Sequence, residues 1–278
     1  MITLAIANQK GGSGKSTTAV ALAYSYAQAG RKVLVVDLDP QAHATCLSGI
    51  CPPAFEGAEK ATIGDCFLNK TPITEAIVKS SFGYKVGIAD EGLLEIELGG
   101  GFSRNPTWAF TLRKALRPVQ KVYDIAILDC APHPGILTQC ALVAATNVLV
   151  PVEAHPLALL GLYQFCDNLK QLAEGEANPE LQLSAVLLTK YADQERVCKS
   201  VLEHLDRGAL SGMLLSDRIS RSTAVARAAA LKWQPGGGSY EGISIPLGAP
   251  VQAVEPHCTA ATDFEFAANA LWEVLTSG

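Results

Sequence analysis

The run Gly11-Gly12-Ser13-Gly14-Lys15-Ser16 joins three glycines to a lysine and a hydroxyl. Glycines let successive backbone N–H groups turn inward without Cβ clashes, and a helix opening behind them adds positive potential. The chemistry this suits is phosphate binding, with Gly11, Gly12, Ser13, Gly14, Lys15, Ser16 and Thr17 as the candidate cradle. Lys15 would reach the β- and γ-phosphates of a nucleotide, and the Ser16 hydroxyl would ligate Mg²⁺. A dinucleotide fingerprint fits less well, because G-x-G-x-x-G starting at Gly12 needs glycine where Thr17 stands.

Two apolar runs end in carboxylates. Val33-Leu-Val-Val-Asp37-Leu-Asp39-Pro-Gln closes on two acids, and Tyr123-Asp-Ile-Ala-Ile-Leu-Asp129 closes on one. In an open α/β sheet the carboxyl ends of strands face the ligand crevice. Asp129 has the position of the Mg²⁺-orienting acid of P-loop NTPases, which makes it a candidate metal ligand beside Ser16. His133 follows closely, but phosphoryl transfer to water rests on positioning and charge neutralisation and needs no strong base.

These residues need a scaffold of alternating strands and helices. Nearly continuous apolar runs at 2–7, 32–38, 123–129, 147–152 and 183–189 read as strands buried on both faces. Apolar spacing nearer 3.6 than 2 predicts helices at 16 to about 29, 107–117, 136–145, 157–174, 193–206, 222–232 and 262–276. The fold class expected is α/β, a doubly wound and mostly parallel sheet with helices on both faces. Residues 1–278 are expected to form a single domain, with an irregular insertion at 233–258, rich in Pro and Gly, that holds at most a short edge strand at 243–245.

The loop Lys10-Gly-Gly-Ser-Gly-Lys15-Ser-Thr resembles the deviant phosphate loop of the ParA/MinD family of P-loop ATPases. Asp37-Leu-Asp39-Pro-Gln resembles that family's D-x-D-P-Q. The likeness continues through Glu95-Ile-Glu97-Leu, Leu112-Arg-Lys-Ala-Leu116, Ala141-Leu-Val-Ala-Ala, Val-Leu-Val-Pro-Val-Glu153, Leu159-Leu-Gly161-Leu and Leu187-Leu-Thr-Lys-Tyr, and reaches about residue 232. The resemblance implies ATP and Mg²⁺ as cofactors and an ATP-sandwich homodimer in which Lys10 reaches the partner's nucleotide. It implies that Asp39 positions the attacking water and Asp37 helps hold hydrated Mg²⁺, making Lys10, Lys15 and Asp39 the catalytic candidates. Ala131 and His133 depart from the family's switch segment, usually D-[TC]-P-P-S.

Members of the family differ in the surface they ride. Those of MinD type end in a basic membrane helix, whereas here no Lys or Arg follows Lys232, and Asp263, Glu265 and Glu273 make the last helix acidic. Anionic lipid would repel it, so no membrane partner is expected. Those of ParA type bind DNA without sequence preference. Between Arg207 and Lys232 there are five basic residues and one acid, in a chain with 22 Lys+Arg against 27 Asp+Glu. Residues 101–123 add Arg104, Arg113, Lys114, Arg117 and Lys121 and no acid. Clusters of this kind displace counterions from phosphates. Arg218, Arg221, Arg227 and Lys232 are the DNA-binding candidates, with Arg218 and Arg221 matching the family's "PRN-R" segment although Asp217 and Ile219 replace its Pro and Asn.

The expected protein is therefore a partition or positioning ATPase. It would bind nonspecific DNA as an ATP-bound homodimer, and a ParB-like or cargo-adaptor partner would stimulate hydrolysis. The formal charge of −5 excludes a highly basic nucleic-acid coat, and 49% hydrophobic residues supply a large core. No secretory n-region or apolar h-region opens the chain, so a cytoplasmic, nucleoid-associated protein is expected. The first strand begins at Ile2, so no N-terminal helix-turn-helix and no operator-specific repression are expected. Eight scattered cysteines form no C-x-x-C pair, which argues against a zinc ribbon. Two alternatives share the loop: a nitrogenase-reductase-like electron carrier, for which no second matched cysteine is evident beside Cys130, and a P-loop small-molecule kinase or ligase.

Overall fold

The computed structural model describes residues 1–53, 60–68, 70–99, 106–175, 177–229, 239–240, 243–244 and 248–277. In chain order the regular elements begin with β1 (Ile2–Ile6), α1 (Lys15–Gln28), β2 (Val33–Leu38), α2 (His43–Leu47), α3 (Ile63–Leu68), β3 (Ile77–Lys79), β4 (Lys85–Gly87) and α4 (Gly92–Leu98). They continue with α5 (Thr111–Leu116), β5 (Ile125–Cys130), α6 (Ile136–Ala144), β6 (Asn147–Glu153), α7 (Pro156–Glu174), β7 (Gln182–Thr189), α8 (Arg196–Arg207), α9 (Thr223–Ala229), β8 (Ser239–Tyr240), β9 (Ile243–Ser244), α10 (Val251–Val254) and α11 (Thr259–Thr276).

Strands β3-β4-β2-β5-β1-β6-β7, in that spatial order, make one sheet that is parallel except for the β3–β4 edge pair. Side chains alternate across it with the period of a strand. Leu4, Val35 and Ile127 enter the core on one face, under α1, α9 and α11, where Leu22, Tyr26, Phe264 and Leu271 meet them. Ala5, Val36, Leu128 and Val150 enter the core on the other face, under α3 to α8. This two-sided burial is why the strand sequences carry almost no polar positions until their carboxyl ends, and it confirms the α/β class.

The expected strands and long helices are present with shifted ends. Around 107–117 the single helix expected is a 3₁₀ turn at Pro106–Phe110, then α5, then another 3₁₀ turn at Arg117–Val119. Pro118 lacks the N–H that a continuing helix requires. Within the segment 243–245 the described residues Ile243–Ser244 form β9, which pairs antiparallel with β8 in a two-stranded ribbon and not with the main sheet. Arg104 and Lys232 lie outside the described residues.

Candidate functional site

The carboxyl ends of β1, β2, β5, β6 and β7 form one rim, and the glycine loop crosses it between β1 and α1. The loop is anchored before it turns. Buried Asn8 donates from Nδ2 to Pro151 O at 2.7 Å, and its Oδ1 accepts from Lys10 N at 3.0 Å. Gly12 (φ +72°) and Gly14 (φ +91°) then take left-handed backbone, where a side chain would be strained. On the far side the Thr189 hydroxyl donates to Ser13 O at 2.9 Å, tying the end of β7 to the loop. Gly14 occupies the N-cap of α1 and has no side chain to cap it, so the first-turn N–H groups are left for an anion.

Lys15 is buried at 7% exposure and turns back to donate to Lys10 O at 3.3 Å. Burial pulls its ammonium below the usual lysine range, against the opposing charges of Asp129 and Asp39.

The three acids meet here. Asp37 of β2 and Asp129 of β5 are direct register partners, and Asp129 also pairs with Ile6 of β1. Both are fully buried. Asp37 Oδ2 accepts from the Thr45 N–H and hydroxyl at 2.8 Å each, and Oδ1 accepts from Asp39 N at 3.1 Å. Even so, burial pushes its carboxyl up to about 7. Asp129 is the more exposed electrically, because neither of its oxygens completes a hydrogen bond. Burial and then the Asp37 charge hold it well above the carboxylate range, with Ser16 and Lys15 pulling the other way. Two unpartnered carboxylate oxygens beside a serine hydroxyl and a second carboxylate are a hard-oxygen donor set that fits a hydrated Mg²⁺. Asp39 lies just beyond β2, with Oδ1 accepting from Gln41 N at 2.9 Å and His43 Nδ1 3.9 Å from Oδ2.

The Lys10 side chain reaches the end of β6, where its Nζ donates to Glu153 Oε2 at 2.8 Å. Lys190 Nζ lies 3.7 Å from Glu153 Oε1. His133 faces Glu97 at 3.5 Å rather than the acids, and Glu97 also accepts from Ile136 N and Leu137 N at 3.0 Å each, closing the start of α6.

The sequence-predicted loop and acids are thus brought together, whereas two of the arginines proposed for DNA are engaged in ion pairs. Arg221 forms a forked pair with Glu195, Arg227 pairs with Glu255, and Arg218 lies over the Tyr191 ring at 5.1 Å. Sequence reasoning gave no role to Asn8, Thr45, Glu153, Thr189 or Lys190. For Asn8 and Thr189 the available signal was a polar residue next to the carboxyl end of an apolar strand.

A family model described as an AAA domain matches residues 1–183. The chromosome partitioning protein ParA of Myxococcus xanthus (strain DK1622) is 38% identical over 205 residues, covering 73% of this chain and 69% of that protein. Among solved structures, cobyrinic acid a,c-diamide synthase from Mycobacterium smegmatis with bound ADP and magnesium superposes with a TM-score of 0.80 at 27% identity, covering 100% of this chain and 96% of that one. The Pyrococcus furiosus cell division ATPase MinD shares the fold, with a TM-score of 0.71 at 19% identity over 98% of this chain and 99% of that one.

Proposed function

The chain belongs to the ParA/MinD family of P-loop ATPases, and on that premise we propose that it is a Mg²⁺-dependent ATP hydrolase that positions or segregates DNA or another large cargo. The observation that carries the reading is the buried Asp37–Asp129 register pair, with both Asp129 oxygens unpartnered, at the rim where the glycine loop delivers Lys15 and Ser16. The ADP and magnesium of the Mycobacterium smegmatis neighbour support ATP and Mg²⁺ as the ligands here.

In this reading Gly11 to Thr17 hold the phosphates, with Lys15 on the β- and γ-phosphates. Ser16, Asp129 and Asp37 hold the metal, the last through water because its oxygens already accept three hydrogen bonds. Bound Mg²⁺ supplies charge neutralisation across the transferred phosphoryl group. Asp39 orients the attacking water. Lys10 crosses to the nucleotide of a second subunit, forming the ATP-sandwich homodimer. Exposed Leu157 and Leu160, at 77% and 65% on the first turns of α7 just after Glu153, support an apolar contact at the same end.

The dimer binds nonspecific DNA through Arg218, Arg221, Arg227 and Lys232, and a ParB-like or cargo-adaptor protein stimulates hydrolysis. The working place is the cytoplasm, on the nucleoid while ATP is bound. Among the described residues no helix is long and apolar enough to cross a membrane. A second reading, a P-loop small-molecule ligase, draws on the whole-chain likeness to the cobyrinic acid a,c-diamide synthase.

DNA co-sedimentation with ATP, ADP and a nonhydrolysable analogue over a salt series tests the choice. ATP-dependent binding that falls steeply with salt supports the partition reading. Turnover that needs a small-molecule acceptor and ignores DNA supports the ligase.

A further inference from the structure

Glu97 lies near the end of α4, a helix whose Leu93 and Ile96 are buried in the core, and its side chain is only 7% exposed. Both carboxylate oxygens are engaged. Oε2 accepts from Ile136 N and Oε1 from Leu137 N, at 3.0 Å each, and His133 Nε2 lies 3.5 Å from Oε2. Those two amides open α6, whose N-cap, Gly135, has no side chain to serve them. Gly135 has ordinary backbone, with φ −85° and ψ −172°, that any residue adopts, yet a Cβ there would collide with the Glu97 carboxylate. The glycine is required by space alone, and Glu97 takes that space.

These contacts fix the far end of the segment that leaves Asp129. Cys130 and Ala131 are buried, Pro132, His133 and Pro134 are exposed, and the Thr138 hydroxyl donates to His133 O at 2.8 Å. Pro132 and Pro134 have a fixed φ and no N–H, so the segment has little freedom of its own and a shift at Gly135 moves it as a piece. We propose that Glu97 is a positioning residue for ATP hydrolysis: by holding the start of α6 and His133, it sets where residues 130–135 stand relative to Asp129 and the reacting phosphate. The inference rests on the hydrolase reading above. Glu97 acts through this segment and not on the nucleotide, because both its oxygens are already committed to protein donors. The glycine loop, which binds the phosphates in that reading, lies between β1 and α1 and makes none of these contacts, so a displaced segment should slow turnover and spare nucleotide affinity.

Hydrolysis at saturating Mg-ATP, with mant-ATP affinity and Tm for each protein, on wild type, Glu97→Gln, Glu97→Ala, Gly135→Ala and the double variant Glu97→Ala with Gly135→Ala, tests this. Misplacing a reacting group by about 1 Å costs up to ~10²-fold, so Glu97→Ala should lower kcat about tenfold or more at a temperature where it is folded, with mant-ATP affinity unchanged. Glu97→Gln keeps one oxygen to cap one amide and should recover part of the loss. Gly135→Ala retains the carboxylate but displaces it, and should lower kcat as Glu97→Ala does. In the double variant the added methyl meets no carboxylate, so kcat should equal that of Glu97→Ala alone. A Glu97→Ala protein with a lowered Tm and wild-type kcat would make Glu97 a helix cap only and overturn the proposal. A deficit confined to mant-ATP affinity, or a double variant whose loss is the product of the two single losses, would overturn it as well. If Glu97→Ala does not fold, wild-type kcat in both Glu97→Gln and Gly135→Ala overturns it. Wild type that binds Mg-ATP and never hydrolyses it would sink the hydrolase reading and this proposal together, whereas hydrolysing wild type with unaffected variants would sink this proposal alone.

Discussion

Replacing Asp129 with asparagine should make the nucleotide-free protein more stable while disabling it. Asp37, with three hydrogen bonds supporting its ionised form, still has a carboxyl raised from 3.8 to about 7. A carboxyl whose pKa is higher folded than unfolded binds protons preferentially in the native state, so stability falls as pH rises from the unfolded value and the full penalty is present above the folded one. At ~1.36 kcal/mol per unit, ionising Asp37 at pH 8 costs on the order of 4 kcal/mol. Asp129 is raised by the same burial and by Asp37, with Ser16 and Lys15 only partly offsetting it, and the two titrate as a pair. Asp129→Asn removes one buried charge and lowers the cost of ionising Asp37, while its amide keeps an oxygen facing Ser16. The expected gain at pH 8 is roughly 2–4 kcal/mol, or about 4–10 °C in Tm for a domain of this size. Thermal unfolding at pH 6 and pH 8, with and without Mg-ATP, is the assay. Wild type without ligand should melt lower at pH 8 than at pH 6, the variant should melt higher than wild type at pH 8 with a flatter pH response, and only wild type should be stabilised strongly by Mg-ATP. A variant less stable than wild type at pH 8, or wild type insensitive to pH between 6 and 8, would refute the view that burial of this acid pair costs stability when it is ionised.

Further outcomes can be measured at the same site. Asp39→Ala should keep ATP affinity, dimerise and remain on DNA without turnover; a loss of ATP binding in a titration would show that Asp39 does not serve hydrolysis alone. Thr189→Val removes the hydroxyl tie from β7 to Ser13 O. One hydrogen bond contributes about 1 kcal/mol, so nucleotide affinity should fall about fivefold by calorimetry while hydrolysis at saturation holds. Because Arg221 is engaged by Glu195, Glu195→Gln should free it and tighten DNA binding with a steeper salt slope, whereas Arg218→Glu with Arg221→Glu should weaken DNA binding and leave ATP-driven dimerisation intact. DNA affinity that ignores all three changes would move the DNA surface elsewhere.

The strands nearest the site were legible because burial on both faces leaves an unbroken apolar run and puts the first polar residue at the carboxyl end, where Asp37 and Asp129 stand. The glycine loop was legible because left-handed turns at Gly12 and Gly14 leave few alternatives in residue type. Strands β3 and β4 were not, since three residues each, with lysines at Lys79 and Lys85, are too short to show a period. The supporting shell escaped for another reason. Thr189 meets Ser13 across 176 positions and Glu153 meets Lys10 across 143, and only the order β1-β6-β7 brings those strand ends to the loop. The arginines show the converse failure: a basic cluster in the sequence says nothing of Glu195 and Glu255, which fold against it. Residues 233–258 likewise read as irregular apart from a short strand, yet they contain α10, whose Val251 and Gln252 are buried, the glutamine donating to Ala21 O of α1 at 3.2 Å.

In the proposed mechanism ATP joins two subunits through Lys10. Sedimentation equilibrium of wild type and Lys10→Ala, each with saturating Mg-ATP or Mg-ADP, measures this directly. Twice the chain mass for wild type with ATP alone, and a single chain mass for Lys10→Ala with ATP still bound, is the predicted result; a monomeric ATP-loaded wild type, or a Lys10→Ala protein that dimerises as wild type does, would contradict it.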